Sequence, residues 1–534
     1  MKLWLLTILS AFTLSHSLSL HAKTFINCSE ASPASFNPQI VTDAPSYNAS
    51  AITIYSKLLG FEPGTTKMIP GLAESYTISK DEKVYTFKLR KGVKFQTTPY
   101  FKPTRDFNAD DVLFSINRQR QKDHPFHMVS GGIYTQYENN IKDAIKEITA
   151  LDPYTVQITL SEVQAPFLAY MAGNYMSILS SEYADQLARE DKKNNIDQFP
   201  IGTGPFAFVS YSKDSLIRYV AHPDYWDKKS YKGKKENRID KLIFAITPDQ
   251  TVRYQKLKAG ECHFVTLPSI VDLDDMRANK NVVVLGQEGL NVGYLAMNVT
   301  KKPFDNVLVR QAVAHALNRK VYLDAIYHGT GIVASNPVPP ALWSYDKTLK
   351  DYEFNIEKSK ALLKQAGLAD GFETELITLP VTRPYNPDGK KMGELMQADL
   401  AKVGIKVKLT TFDWPTFLKK ARSGDQQMIQ FGWTGNNDPD TFLNDLLSCA
   451  SVETGNNAAR WCNKDFNDLV LKARSVTDQK KRAELYKKAQ KIFKTEAPWV
   501  TIAHAKVFRV MEKGIKNFKI DPFGYDYFDN VEME

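Results

Sequence analysis

The chain has 534 residues, of which 43% are hydrophobic, 24% charged and 11% aromatic. That length exceeds what one core usually holds, so two or three folded units are expected, and the composition excludes a disordered or fibrous chain. The net charge of +9 is interleaved with acids; its densest basic stretch, residues 228–235 with Lys232-Gly-Lys-Lys, reads as a solvated loop rather than a nucleic-acid stripe, although the surplus can still gather anionic ligands or partners.

Residues 1–22 read as a signal peptide: Lys2 opens it, residues 3–14 are apolar and uncharged, and Leu20-His-Ala22 offers a cleavage site with Ala22 last. The apolar run is too short to span a bilayer. Ile26 and Asn27, before Cys28, do not form a lipoprotein box, so the expectation is a soluble exported protein and not a lipoprotein. Export makes the four cysteines a pairing problem with three solutions. Cys449 and Cys462 enclose a short loop, which points to a local bridge and leaves Cys28 with Cys262. No Cys-x-x-Cys occurs, which argues for structural disulfides over zinc, haem attachment or thioredoxin chemistry.

In chain order, residues 23–27 read as a strand, and Asn37-Pro38 and Asp43-Ala-Pro45 as turns. Tyr85, Phe87 and Leu89 alternate as a strand, and Val93-Lys-Phe95 follows a Gly92 turn as a second strand-like run. Asn108 caps a helix with Val112, Phe114 and Ile116 inward. Val156, Ile158 and Leu160 make a strand before a helix at 165–172. Ile201-Gly-Thr-Gly-Pro-Phe206 lacks the Lys-Ser/Thr of a phosphate loop and reads as a crossing between domains. From residue 240 the rhythm is strand, helix, strand (242–245, 251–259, 263–267), as in α/β domains. Residues 289–298 form another strand. Asp305 or Asn306 caps a helix on Val309, Ala312, Val313, Ala316 and Leu317; Asn355 caps the next, stopped by Gly367. Residues 392–400 are helical, 405–409 a strand, and Asp478 opens a late helix with Leu485, Tyr486, Ala489, Ile492 and Phe493 inward.

Enzyme signatures are missing. There is no His-Glu-x-x-His and no Gly-x-Ser-x-Gly, no nucleophile–base pair is visible, and no catalytic residue, metal site or cofactor is assigned. His124 and His127 are separated by Pro125, so no helix face joins them. His315 reads as a satisfied core residue and His504 lies in a strand-like run.

The stretch that looks like a ligand site runs from 383 to 440. It opens on Arg383-Pro-Tyr-Asn-Pro, where two prolines stiffen a loop, and closes on Trp433-Thr-Gly-Asn-Asn-Asp-Pro-Asp440 after an apolar strand at 428–431. A guanidinium at one end and aromatics with amides at the other suit a small zwitterion. The alternative is a structural ion pair for Arg383 and core packing for the tryptophans.

Pro70-Gly-Leu-Ala-Glu-Ser, Leu89-Arg-Lys-Gly-Val-Lys-Phe, Phe107-Asn-Ala-Asp-Asp-Val, Gly202-Thr-Gly-Pro-Phe and Val309-Arg-Gln-Ala resemble the family-5 solute-binding proteins of ABC transporters. Lys23-Thr-Phe-Ile-Asn-Cys-Ser-Glu, Gly289-Leu-Asn-Val-Gly-Tyr-Leu, Arg383-Pro-Tyr-Asn-Pro and Trp433-Thr-Gly are similar to its peptide-binding branch. Haem-, glutathione- and antimicrobial-peptide-binding branches share the span. The resemblance implies an α/β, two-lobed, hinge-connected fold of the type II periplasmic-binding-protein kind with an additional inserted α/β domain. Its division would be signal 1–22, lobe I 23–54, inserted domain II 55–207, lobe I again 208–288, lobe III 289–506 and lobe I again 507–534. It also implies the Cys28–Cys262 and Cys449–Cys462 pairs, a short peptide as ligand, an inner-membrane ABC permease as partner, no nucleic acid, and a monomer.

For the site, the resemblance implies Arg383 on the ligand carboxylate, Tyr385 and Trp414 lining the pocket beside Trp433 and Gly435, and Thr42, Asp43, Ala44 and Ser46 approaching from the other lobe. In peptide-binding members an aspartate follows Trp-Thr-Gly and holds the ligand ammonium. Here Asn436 stands there, uncharged, and the missing charge is expected from Asp43, or else from Asp438 or Asp440. A haem, glutathione or cationic-peptide carrier is the alternative within binding, and an exported hydrolase the alternative outside it.

Overall fold

A computed structural model describes residues 22–227, 238–454 and 456–534. The expected signal segment 1–22, apart from Ala22, and the basic stretch 228–235 lie outside them. The organising element is the strand Trp499–Glu512. Its residues 499–505 pair with Asn291–Met297 and Gly331–Val333. Its residues 506–512 pair with Val282–Glu288, and 509–511 with Phe264–Thr266 on the other side. One 14-residue strand therefore belongs to both halves of a 12-stranded mixed sheet. One half continues through Met428–Thr434, Phe372–Ile377 and Ile405–Thr410; the other through Thr24–Ser29, Lys241–Ile246, Leu216–Ala221 and Phe206–Ser212. The chain makes a second passage between the halves at Gly289-Leu290. There the Gly289 N–H donates to Ala505 O at 3.2 Å, and a Cβ on Gly289 would fall 2.7 Å from that oxygen.

A separate four-stranded antiparallel sheet, in the order Ala73–Ile78, Val84–Leu89, Thr155–Leu160, Ile145–Asp152, packs under the helix Ala109–Arg120. Its chain leaves and returns side by side. Gly204 N donates to Ile54 O (2.8 Å) and Phe206 N to Thr53 O (3.0 Å), while the buried Gln96 amide ties Ile54, Gly202, Gly204 and Phe206 together. A Cβ on Gly202 would sit 2.2 Å from Ile54 O, so the glycines of that stretch serve close backbone approach. Phe87, Val156 and Ile158 of the small sheet share one apolar core with Phe25, Phe244 and Phe264 of the large one. The half containing Asn291–Met297 has cores of its own.

Local chemistry explains the helices. Asn108 accepts from Asp110 N at 2.9 Å while the Asp111 carboxylate accepts from Asn108 N at 3.0 Å, a reciprocal cap. Asn306, Asn355 and Asp478 cap their helices as expected, and Gly367, at φ +77°, ends the second of these. His315 is buried, and its Nδ1 lies 2.8 Å from Glu353 O. Both cysteine pairs are present, Cys28–Cys262 and Cys449–Cys462.

Two expectations fail. Asp43-Ala-Pro45 is not a turn but the start of the helix Ala44–Ala49, with the Asp43 carboxylate accepting from Ser46 N at 3.0 Å. Proline is tolerated there because a helix's first N–H groups have no partner to lose. Val93-Lys-Phe95 joins no sheet among the described residues. Val93 and Phe95 are buried, and the local backbone bonds go to Phe107 and Gly202 instead.

Candidate functional site

Arg383 is held in place by a notch in the sheet. Gly293 and Gly432 are direct cross-strand partners, and two absent side chains leave a slot. Tyr385 fills it: its carbonyl lies where a Gly293 Cβ would be (2.1 Å) and its ring where a Gly432 Cβ would be (2.1 Å). The Tyr327 hydroxyl donates to Tyr385 O at 2.6 Å. Arg383 and Asn386 exchange backbone hydrogen bonds at 3.1 and 3.0 Å around Pro384-Tyr385, and Asn386 Nδ2 donates to Gln430 Oε1 at 3.2 Å. The loop is thus clamped at its neck, its tip and its carbonyl. Gly432→Ala is expected to cost about 1–3 kcal/mol through overpacking against Tyr385, seen as a lower urea midpoint at unchanged slope. An unshifted midpoint would mean that the ring does not occupy the slot.

The clamp presents a half-buried guanidinium with spare donors. The Arg383 guanidinium carbon lies over the Trp414 ring, 4.8 Å from its centroid, and Trp414 stacks on Phe417. Nη1 donates to Thr382 O at 3.0 Å, and no carboxylate pairs with the group among the described residues. Burial raises the Tyr385 hydroxyl's pKa, and the neighbouring Arg383 charge partly offsets it. The structural-ion-pair alternative therefore does not hold for Arg383. A cation held over a ring, with donors to spare, has the chemistry to accept a carboxylate.

Arg383 faces a cavity of about 240 Å³ between the two halves of the molecule. Tyr385, Trp414, Trp433, Gly435 and Asn436 line it from one side, and Thr42, Asp43 and Ala44 from the other. Arg383 and Pro384 also border a wider cavity of about 770 Å³ that reaches Lys390, Lys391 and Lys506. Polar contacts bridge the halves: Asn437 Nδ2 to Thr66 O at 3.0 Å, Thr477 Oγ1 to Glu82 at 2.9 Å, Ala165 N to Arg474 O at 2.7 Å, and the Tyr170 hydroxyl to Asp440.

Three expected acceptors are committed elsewhere. Asp438 does not line the cavity. It is buried, with its two oxygens at 2.8 Å from Arg482 Nη1 and Nη2. Asp440 is buried too, 3.3 Å from Arg474 Nε, and accepts from the Tyr486 and Tyr170 hydroxyls. Ser46 is fully buried; its Oγ accepts from Ala34 N at 2.8 Å and donates nothing to the cavity. Short-range sequence rules see Asp438-Pro-Asp440 as exposed turn formers and cannot see an arginine forty-four residues on.

Among the polar residues of the cavity that went unread in the sequence are Lys57, Asn140, Asn174 and Asp445. Burial pushes the Lys57 ammonium down to about 8, and its Nζ donates to Asn174 Oδ1 at 2.7 Å. Burial first, and the Asp440 charge second, push the Asp445 carboxyl well above the usual range, with Arg474 opposing. The one available signal was an acid inside the apolar run Phe442-Leu-Asn-Asp-Leu-Leu447, on a helix whose residues are all buried.

Known proteins place this geometry. A profile of bacterial extracellular solute-binding proteins, family 5 middle, matches residues 67–454. A dipeptide-binding protein of Escherichia coli K12 is 46% identical over 98% of this chain and 97% of its own length. Heme-binding protein A of Haemophilus influenzae is 43% identical over 96% and 92%. The crystal structure of a dipeptide-binding protein from Pseudoalteromonas sp. SM9913 in complex with Met-Leu superposes with a TM-score of 0.90 at 36% identity, covering 96% of this chain and all of that one. With a sheet shared by two halves, a cavity between them and a profile match over most of its length, this chain belongs to family 5 of the bacterial extracellular solute-binding proteins.

Proposed function

We propose that the protein captures dipeptides or other short peptides and delivers them to an inner-membrane ABC permease, acting as an exported monomer whose leader is removed after Ala22. The observation that carries the reading is the Arg383 fork, stacked on Trp414, lacking a carboxylate among the described residues and facing the cavity. A peptide's terminal carboxylate supplies what the fork lacks. Relatives and a structural neighbour named for dipeptides, one of them holding Met-Leu, support the same cargo class.

In this reading lobe I is 23–54, 208–288 and 507–534, domain II is 55–207 and lobe III is 289–506, with the passages at 289–290 and 506–507 as the hinge. Closure would bring Thr42, Asp43 and Ala44 over a peptide lying against Tyr385, Trp414, Trp433, Gly435 and Asn436. Micromolar capture needs about −8 kcal/mol. Charge-assisted bonds at about 1.5–3 kcal/mol each, with backbone contacts, reach that range. Water around small side chains keeps selectivity among them loose.

A haem carrier is the second reading, since Heme-binding protein A is a relative. No histidine lines the 240 Å³ cavity among the described residues, which favours peptide. Calorimetry with Ala-Phe, its C-terminal amide and haem separates the two. The expected result is micromolar Ala-Phe, at least tenfold weaker amide, and no Soret shift with haem. Equal affinity for acid and amide, or a saturating Soret shift without peptide binding, would overturn the proposal.

A further inference from the structure

We infer that the cationic end of the cargo is held by Asp445, with Asn140 beside it, rather than by the position after Trp-Thr-Gly or by Asp43. This rests on the peptide reading above and assigns the half of the zwitterion that Arg383 leaves unmatched. A free α-ammonium is the ligand group concerned.

The inference comes from taking stock of the cavity's acceptors. Asn436 carries no charge, and its Oδ1 already accepts from Asp438 N at 2.8 Å. Asp438 is spent on Arg482, and Asp440 on Arg474, Tyr170 and Tyr486. Asp43 spends one oxygen capping the helix Ala44–Ala49, where the N-terminal partial positive charge already stabilises it. Glu30 also lines the cavity and accepts only a long bond from Ser29 Oγ at 3.4 Å.

Asp445 differs from Glu30 and Asp43, which are both partly exposed, in its burial, and from Asp438 and Asp440 in having no arginine ion pair among the described residues. It is 2% exposed, lines the cavity, and makes no ion pair among the described residues. Its bond from Asn444 Nδ2, at 3.3 Å, is weak. Opposite it in the same cavity, Asn140 is 4% exposed, and its Oδ1 has no partner. One buried acceptor without a partner, Asn140 Oδ1, and one ionisable acceptor with a single weak bond, Asp445, can both take a donor that arrives with the ligand.

The charges around Asp445 suit an exchange. Asp440 and Asp438 on the same segment oppose its ionisation, and Arg474, the nearest cation, is drawn off to Asp440, Asn140 O and Asn444 Oδ1. Tyr170 and Tyr175 face it from the other half, and both hydroxyls are pushed up by burial and by its charge. Burial, with the Asp440 and Asp438 charges, raises the Asp445 carboxyl and so disfavours a bare charge there. An incoming ammonium offsets that cost: to the extent that the raised carboxyl is protonated, its proton leaves to solvent and the acid becomes half of an ion pair. The cavity gains no net charge beyond the ligand's own carboxylate, which Arg383 meets. Because the proton must depart, affinity rises with pH below the empty-cavity pKa of Asp445, by up to about tenfold per unit.

The test compares Ala-Phe with N-acetyl-Ala-Phe by calorimetry from pH 5.5 to 7.5, on the parent and on Asp445→Asn. Asparagine copies the protonated acid in shape, and a thermal melt checks that the variant folds. The parent should prefer the free amine by about 10- to 100-fold, tighten as pH rises, and release a proton, read as a binding heat that depends on the buffer's ionisation heat. Asp445→Asn should close the gap to under about threefold, by weakening only the free dipeptide, and should lose the proton release. A variant that keeps the gap would overturn the assignment while leaving the peptide reading intact. A parent that binds neither peptide would remove both.

Discussion

Arg383→Ala is expected to weaken Ala-Phe binding by roughly 100-fold or more while leaving the fold's stability within about 1 kcal/mol of the parent. The asymmetry follows from how the residue is held. In the empty protein its guanidinium balances no carboxylate among the described residues, so truncation strands no buried partner. What the fold loses is a stacking contact on Trp414, about 0.5–1 kcal/mol at a half-exposed site. What the ligand loses is a charge-assisted, two-pronged bond in a partly dehydrated cavity, about 3 kcal/mol or more. Arg383→Lys should recover only part of this, since an ammonium keeps the charge but not the planar fork, nor its seat on the indole. Calorimetry beside a urea titration gives both numbers. A variant that binds as tightly as the parent would end the proposal.

Arg482→Met is expected to cost the fold about 3–5 kcal/mol. Arg482 and Asp438 are both buried and joined by two bonds of 2.8 Å. Removing the cation leaves Asp438 charged, dehydrated and next to Asp440, and a broken buried pair costs far more than an intact one contributes. The paired change Arg482→Met with Asp438→Asn should recover much of the loss, since no bare charge remains. Urea unfolding of the single and double variants measures the coupling. A single variant within about 1 kcal/mol of the parent would show that the pair is looser than its geometry. The damage should also reach the ligand: Asp438 Oδ1 accepts from Asp440 N at 3.0 Å and so orients the start of the helix that carries Asp445.

Much of the architecture was readable because local rules and tertiary demands agree. Asn108, Asn306, Asn355 and Asp478 satisfy helix N–H groups whatever the surroundings, and the alternation at Tyr85, Phe87 and Leu89 has one buried face. Reading failed where a residue's role depends on a distant partner. Asp438 and Asp440 look like turn residues until Arg482 and Arg474 arrive from a helix pair later in the chain. Asp43-Ala-Pro45 offers the same letters to a turn and to a helix start, and packing decided between them. The Arg383 loop was legible as rigid from its prolines. That Gly293 and Gly432 cut the notch it sits in depends on a strand register that spacing alone does not reveal.

The strand Trp499–Glu512 runs unbroken from one half of the sheet into the other. At about 3.3 Å per residue it is a rod roughly 45 Å long, and a flexure of roughly 10° near its middle swings each tip by roughly 4 Å. If the halves close on a small solute as proposed, a slight narrowing there would be geared into a change of outline at the rim. There the proposed permease would distinguish the laden molecule from the empty one without touching what it carries.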